Sequence, residues 1–360
     1  MEVAIEGLCR GLRAGGGDDR FVVAHRAAYA VRGLASAALT TLAAPVWANG
    51  RAGRILWERA CLPAALRAAG AQVLHAPGYI LPAGWRGPSL LTVYDILALS
   101  HPEWCKWANA AYFRRALPPS IGRATITVTP SEHVRQEIIA RLCAPPDRVR
   151  VVPLGLPAEM TPSRPAEVMA ARQVLGVPER YLLWVGNFEP KKNLEGIVEA
   201  FEHVAANSPH SLVLAGKPGW KCEPILRRIA ASPVAGRILM PGYVPPLLLP
   251  PLMTGADLLV HWSLYEGAGL TPLEAMACGT PAVVSDGGAL PELAGQVAPV
   301  VPLGDPGALA DEITSLLTDR ARHDALAARG REWVAQFTWR RHADAMIALY
   351  AEAASIAEEA

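Results

Sequence analysis

The chain has almost no net charge. Against 34 Lys and Arg stand 33 Asp and Glu, which leaves +1 over 360 residues. No long-range field draws a polyanion to such a surface, and nucleic acid is set aside as a partner. Paired cysteines are also missing. Cys9, Cys61, Cys105, Cys143, Cys222 and Cys278 are scattered, without a C-x-x-C or zinc spacing. They read as reduced, mostly buried thiols of a cytoplasmic protein. The opening "EVAIEGLCRGL" is an amphipathic pattern with early acids, unlike the basic start and apolar core of a secretory leader. Long apolar runs are absent too. The nearest, "GLASAALTTLAAPVWA" at Gly33–Ala48, is short and broken by Gly, Ser, Thr and Pro, whereas a spanning helix needs about 20 apolar residues. The expectation is a protein that does not cross a membrane and at most touches its inner face peripherally.

What the chain does have is apolar material, 51% of its residues. That suffices for two cores, and the length suits two domains of about 150 residues each. Short Val/Leu-rich runs alternate with helical stretches. In the first half the strand candidates lie at 21–25, 72–76, 89–93, 125–129 and 148–153. In the second half they lie at 181–186, 211–216, 237–242, 257–262, 281–286 and 297–302. Helical patterns fill the gaps, as in "NLEGIVEAFEHVAAN", where Leu194, Ile197, Val198 and Phe201 share a face. This alternation predicts two doubly wound parallel-sheet domains with ligands at the carboxyl ends of the strands. The proline-rich stretch at 153–165 is the expected linker. The expected divisions are 1–155, 156–338 and a final helix at 339–360.

One loop raises a chemical question. "YEGAGLTPLEAMACG" at Tyr265–Gly279 places a carboxylate, Glu266 or Glu274, at each end of a glycine-rich turn that opens a helix. Pro272 suits a first helical turn. The backbone N–H groups of Ala268, Gly269 and Leu270 then form an anion site fit for phosphate, and Gly267 and Gly269 let it approach. Glu274 is placed to accept hydrogen bonds from ribose hydroxyls, and Glu266 to reach a group beyond the diphosphate. A dinucleotide fingerprint is the rival reading, with "GAG" after a strand and Asp286 about 20 residues on, but Pro272 occupies its third glycine position. Plain solvation of both acids is the other. In a second segment, "VGNFEPKKNL", a strand ends at Gly186 and the loop from Asn187 onward carries Lys191 and Lys192, with Asn193 placed to cap the next helix. Cations at a strand's carboxyl end are what a departing diphosphate needs.

Together, "VGNFEPKKNL", "LVLAGKPGW", "GADLLVHWSLYEGAGLTPLEAMACGTPAVVSD" and "LPELAG" resemble, in order, the C-terminal domain of glycosyltransferase family 4. The likeness runs over most of residues 54–350 and is nearest to the mannosyltransferase-like branch of polysaccharide assembly. It implies the GT-B fold, two Rossmann-like domains across a cleft, and retaining transfer from a nucleotide-diphosphate sugar such as GDP-mannose to a glycan, lipid-linked or small-molecule acceptor. Glu266 and Glu274 match the family's E-x7-E pair. Lys192 matches the residue that stabilises the leaving diphosphate, with Lys191 beside it pointing elsewhere. The final helix is implied to cross back onto the first domain. The fold implies no metal or other cofactor, and the chain has no D-x-D to hold one.

Three departures stand out. Tyr94-Asp95 replaces the family's His-Asp after the strand "LLTV", and a Tyr with a pKa near 10 is a different acid. Ala268 replaces a loop aromatic. The family's first strand and glycine-rich turn have no counterpart before "AIEGLCRGLRA". The expectation is a first domain lacking its central strand, or else one in which "FVVAH" fills the slot. The rival functions are a catalytically silent nucleotide-sugar binder and a sugar phosphorylase.

Overall fold

The computed structural model describes residues 2–14, 19–26 and 38–358. Met1 and residues 33–37 of the apolar Gly33–Ala48 run lie outside them. Twelve strands form among the described residues, all paired in parallel.

The first half carries β1 (Phe21–His25), β2 (Leu39–Ala43), β3 (Leu74–Ala76), β4 (Ser89–Thr92), β5 (Ile126–Thr129) and β6 (Val149–Val151). Eleven strands were expected, and β2 is the twelfth. It escaped because Thr40 and Thr41 are exposed in a weakly apolar run, so neither alternation nor a solid hydrophobic stretch marks it. The sheet here is in two pieces. β3, β4, β5 and β6 pair in that order, while among the described residues β1 pairs only with β2. "FVVAH" therefore does not take a central slot in one continuous sheet.

The second half has one sheet of β7 (Tyr181–Val185), β8 (Ser211–Ala215), β9 (Ile238–Gly242), β10 (Leu258–His261), β11 (Ala282–Ser285) and β12 (Val300–Val301), in the order β12-β11-β10-β7-β8-β9. Its central strands are solid Leu/Val runs because helices cover both faces. Leu182, Trp184, Leu212, Leu214, Leu258 and Val260 face the Leu194–Asn207 helix, where Ile197, Val198 and Phe201 are buried. The alternate residues, Tyr181, Leu183, Val213, Leu259 and Val284, face the Leu270–Ala277 helix. Each such side chain contributes roughly 1.5–3 kcal/mol on burial.

Two chain crossings join the halves side by side. Leu156 N donates to Phe337 O at 2.9 Å, and the Trp339–Glu358 helix then packs on the first-half sheet. Its Ala343, Met346, Leu349 and Ala353 cover Leu90, Ile126 and Val128, and Arg150 pairs with Glu352. The Glu2–Ala14 helix lies across it so closely that a Cβ on Gly7 would sit 2.0 Å from the Trp339 ring. No helix among the described residues is long and apolar enough to cross a membrane.

Candidate active site

The strand order places the site. β7 leads away to β8 and β9, while the chain returns through β10 on the other side of β7. The loops leaving the carboxyl ends of β7 and β10 therefore diverge around a crevice, which is where open α/β sheets bind ligands.

From β7 the chain enters a single 3₁₀ turn, Pro190–Lys192. Leu264 N donates to Lys191 O at 2.8 Å and ties this turn to the loop after β10. Both lysine side chains are largely buried, and both turn toward Glu266. Lys192 Nζ donates to Glu266 Oε1, and Lys191 Nζ lies 3.8 Å from Oε2. Lys191 was expected to face elsewhere. In the tight turn it converges on the same carboxylate as its neighbour. Asn193 corrects a second expectation. It stands at the start of the Leu194–Asn207 helix, but at φ +53° its side chain makes no capping bond; capping needs extended backbone there. Asn187 is exposed and makes no hydrogen bond among the described residues.

Glu266 is 8% exposed. Burial alone would raise its pKa. The Lys192 ammonium, a hydrogen bond from His261 and the Lys191 charge outweigh that and hold the carboxyl well below its usual range. Burial likewise pulls Lys191 down, but Glu266, Asp95 and Glu189 more than compensate, so it stays charged. The cluster is two ammonium groups on one carboxylate.

Gly267, Ala268 and Gly269 lead from Glu266 into the Leu270–Ala277 helix. Gly267 presses against the first half of the chain. A Cβ there would lie 2.1 Å from Tyr94 O, and Ser131 Oγ donates to Gly267 O at 2.8 Å. Gly269 has left-handed backbone, φ +49°, which glycine adopts without strain. The N–H groups of Ala268, Gly269 and Leu270 meet no acceptor among the described residues. Glu274, one turn into the helix, has no hydrogen-bond or ion-pair partner there either, and burial pushes its pKa up to about 7. A helix N-terminus with free donors, two cations and a carboxylate without a partner face one crevice.

Tyr94 and Asp95 approach from across the crevice. Tyr94 is half-buried, edge-on to Tyr79, and packs with Ala268 and Leu270 against Leu154 and Trp339. Its hydroxyl has no hydrogen-bond partner among the described residues, and burial raises its pKa, so it is a neutral donor. Both Asp95 oxygens are engaged: Oδ2 accepts from Tyr79 OH at 3.1 Å and Oδ1 from Leu97 N at 3.0 Å. Glu292 adds another link between the halves, accepting from Glu132 N at 2.8 Å and His133 N at 3.1 Å.

Residues 168–333 match the family described as "Glycosyl transferases group 1", and residues 1–159 match "Glycosyltransferase Family 4". The O-antigen chain mannosyltransferase B of Escherichia coli is 31% identical over 270 residues, covering 74% of this chain and 71% of that protein. The chain belongs to glycosyltransferase family 4. It is a glycosyltransferase enzyme. A D-inositol 3-phosphate glycosyltransferase of Segniliparus rotundus is 33% identical over 58% of this chain and 47% of its own length. Among solved structures, Anabaena HepE in complex with UDP and glucose superposes with a TM-score of 0.70 at 19% identity, covering 87% and 86% of the two chains. WaaG, a glycosyltransferase involved in lipopolysaccharide biosynthesis, gives 0.69 at 18%, covering 98% and 95%. These likenesses show the GT-B fold.

One residue of this glycosyltransferase's crevice escaped the sequence reading. His261 ends β10, fully buried, with Nε2 at 3.0 Å from Glu266 Oε1. The signal was available: a lone imidazole in the solid apolar run "DLLVHW", five residues before the glutamate.

Proposed function

We propose that this family 4 glycosyltransferase moves a sugar, with mannose as the first candidate, from a nucleotide-diphosphate donor to a glycan, lipid-linked or small-molecule acceptor, with retention at the anomeric carbon. The observation that carries the reading is the convergence, at the β7/β10 crevice, of Lys191, Lys192, the free N–H groups at the Leu270–Ala277 helix start and Glu274. The helix start receives the diphosphate, since free N–H groups and the helix dipole both favour anions. Glu274 takes the ribose hydroxyls, which donate to a carboxylate that has no other partner among the described residues. Glu266 holds sugar hydroxyls near the reacting carbon. As the bond from that carbon to the diphosphate breaks, negative charge grows on the leaving oxygen. Lys192, with Lys191, offsets it in a site largely closed to water. Tyr94 offers one neutral hydrogen bond toward the donor sugar, and Asp95 positions Tyr79 and the turn at Leu97. The mannosyltransferase name of the Escherichia coli relative supports mannose, and the HepE complex with UDP and glucose supports a nucleotide donor. The proposed place of action is the cytoplasm, at the inner membrane face when the acceptor is lipid-linked.

Thermal stabilisation by GDP-mannose, UDP-glucose and related nucleotide sugars tests the donor. Saturation at 100 times Kd adds about 2.7 kcal/mol. Release of nucleoside diphosphate from the stabilising donor then tests turnover. Stabilisation without release under any acceptor supports the silent binder, a reading favoured by Tyr94 and by the fully engaged Asp95. No stabilisation by any nucleotide sugar overturns both.

A further inference from the structure

We propose that His261 is the positioning residue of Glu266, holding the carboxylate in place when the lysines turn to the donor's diphosphate. The proposal rests on the roles given above to Glu266 and Lys192.

The geometry sets the direction of the bond. An ionised carboxylate only accepts hydrogen bonds, so the proton between the two groups is on His261 Nε2. Nδ1 is then a bare lone pair, and it has no partner among the described residues. Ser263 Oγ is the other polar atom near Nε2, at 3.3 Å. His261 is 1% exposed at the end of a central strand, paired in register with Val284. It cannot turn out to meet a ligand. Burial and the two nearby ammonium groups oppose its protonation against the pull of Glu266, so it is a neutral and fixed donor.

The lysines differ in each respect. They sit on a loop, and each has four side-chain torsions and three donors. In the structure Lys192 donates to Glu266 and Lys191 Nζ stands 3.8 Å from the same carboxylate, and an incoming diphosphate competes for both ammonium groups. Without His261, recruiting the ammonium groups would release the carboxylate that has to hold the sugar. With it, Glu266 keeps one hydrogen bond to the rigid sheet while Lys191 and Lys192 change partners. The nucleotide and sugar halves of the donor can then be bound together.

The test uses the full chain with His261→Gln, His261→Asn and His261→Leu, read as melting temperature and as nucleoside diphosphate release from GDP-mannose and UDP-glucose. A Gln amide reaches the place of Nε2, and an Asn amide that of Nδ1. Gln should keep kcat within about threefold. Asn and Leu should lower kcat about 10–100-fold with KM for the nucleotide sugar little changed, the size expected for a misplaced group. Gln no better than Asn, or Asn and Leu at unmodified kcat, overturns the proposal. If the Leu variant fails to fold, the Gln–Asn contrast decides. Imidazole ¹⁵N shifts provide a readout without substrate. A neutral Nε2–H histidine at pH 7, lost in His261→Gln, is expected, and an imidazolium or an Nδ1–H form overturns the assignment. Glu266→Gln tests the underlying reading separately. Full activity in that variant would refute the role of Glu266, whatever the histidine does.

Discussion

Adding one methyl group at Gly267 should cost this enzyme most of its activity and little of its fold. The alanine Cβ would stand 2.1 Å from Tyr94 O and 3.0 Å from Asp95 Cβ, where ordinary contact begins at 3.4 Å. The nearer pair must therefore separate by the difference of 3.4 and 2.1, about 1.3 Å. The obstacle is a backbone carbonyl, which cannot rotate aside as a side chain can. Gly267 is not among the residues with positive φ, so alanine brings a clash and no backbone strain. Overpacking of this kind typically costs 1–3 kcal/mol. Here the two sides belong to different halves of the chain, and they can part without opening either core. Relief takes one of two routes. The halves separate, or the loop retreats and carries Glu266 with it. Each displaces the groups of the site by about 1 Å, which costs about 10²-fold. We expect kcat of Gly267→Ala to fall about 10–100-fold, with the melting temperature lower by no more than a few degrees. The assays are donor turnover, calorimetry and small-angle scattering. Activity within about threefold of the unmodified protein would refute the reasoning. A melting temperature lower by 10 °C or more would instead place the clash inside a folding unit.

Lys192→Ala should lower transfer about 10²-fold or more, the usual size for one lost electrostatic donor, and Lys191→Ala should also be clearly impaired because both lysines reach Glu266. Steady-state kinetics check this, and unchanged kcat in both would make them mere surface charges. Glu274, raised to about 7, is protonated below that pH and ionised above it. On the proposed ribose role the ionised form is the one that binds, so nucleoside diphosphate affinity should weaken as pH falls from 8 to 6. The same raised pKa means that its contribution to the stability of the free protein is greatest below the ordinary carboxyl range and is lost as pH rises through about 7. Glu274→Gln should flatten both profiles, read by calorimetric titration and thermal melts; an unchanged pH dependence would exclude Glu274 as its source. Glu292→Ala frees two N–H groups at the start of the Glu132–Leu142 helix, a capping loss of about 0.5–2 kcal/mol. It should loosen the two halves, seen as a larger radius of gyration and a raised donor KM, and no change in either would make that contact incidental.

Elements set by neighbouring residues were legible before folding. The apolar runs at 181–185 and 258–260 read as strands because they are short and lie between Gly, Pro and Asp turn signals. The spacing of Glu266 and Glu274 around a glycine turn and Pro272 already described a helix start with carboxylates on both sides. Missing from that local record was which strand lies beside which. β10 pairs with β7 rather than with β9, its predecessor in the chain, and this placement brings Lys192 to a carboxylate 74 residues away. Consecutive elements are usually neighbours, so such a reversal is not legible from periodicity. The same holds for Lys191, turned inward by its 3₁₀ turn, and for β2, which pairs with β1 apart from the main first-half sheet. His261 shows the limit most clearly. In the sequence it is one polar residue at the end of an apolar run. Only the folded chain, by burying the ring beneath two lysines and leaving Nε2 a single carboxylate to meet, turns it into part of the site.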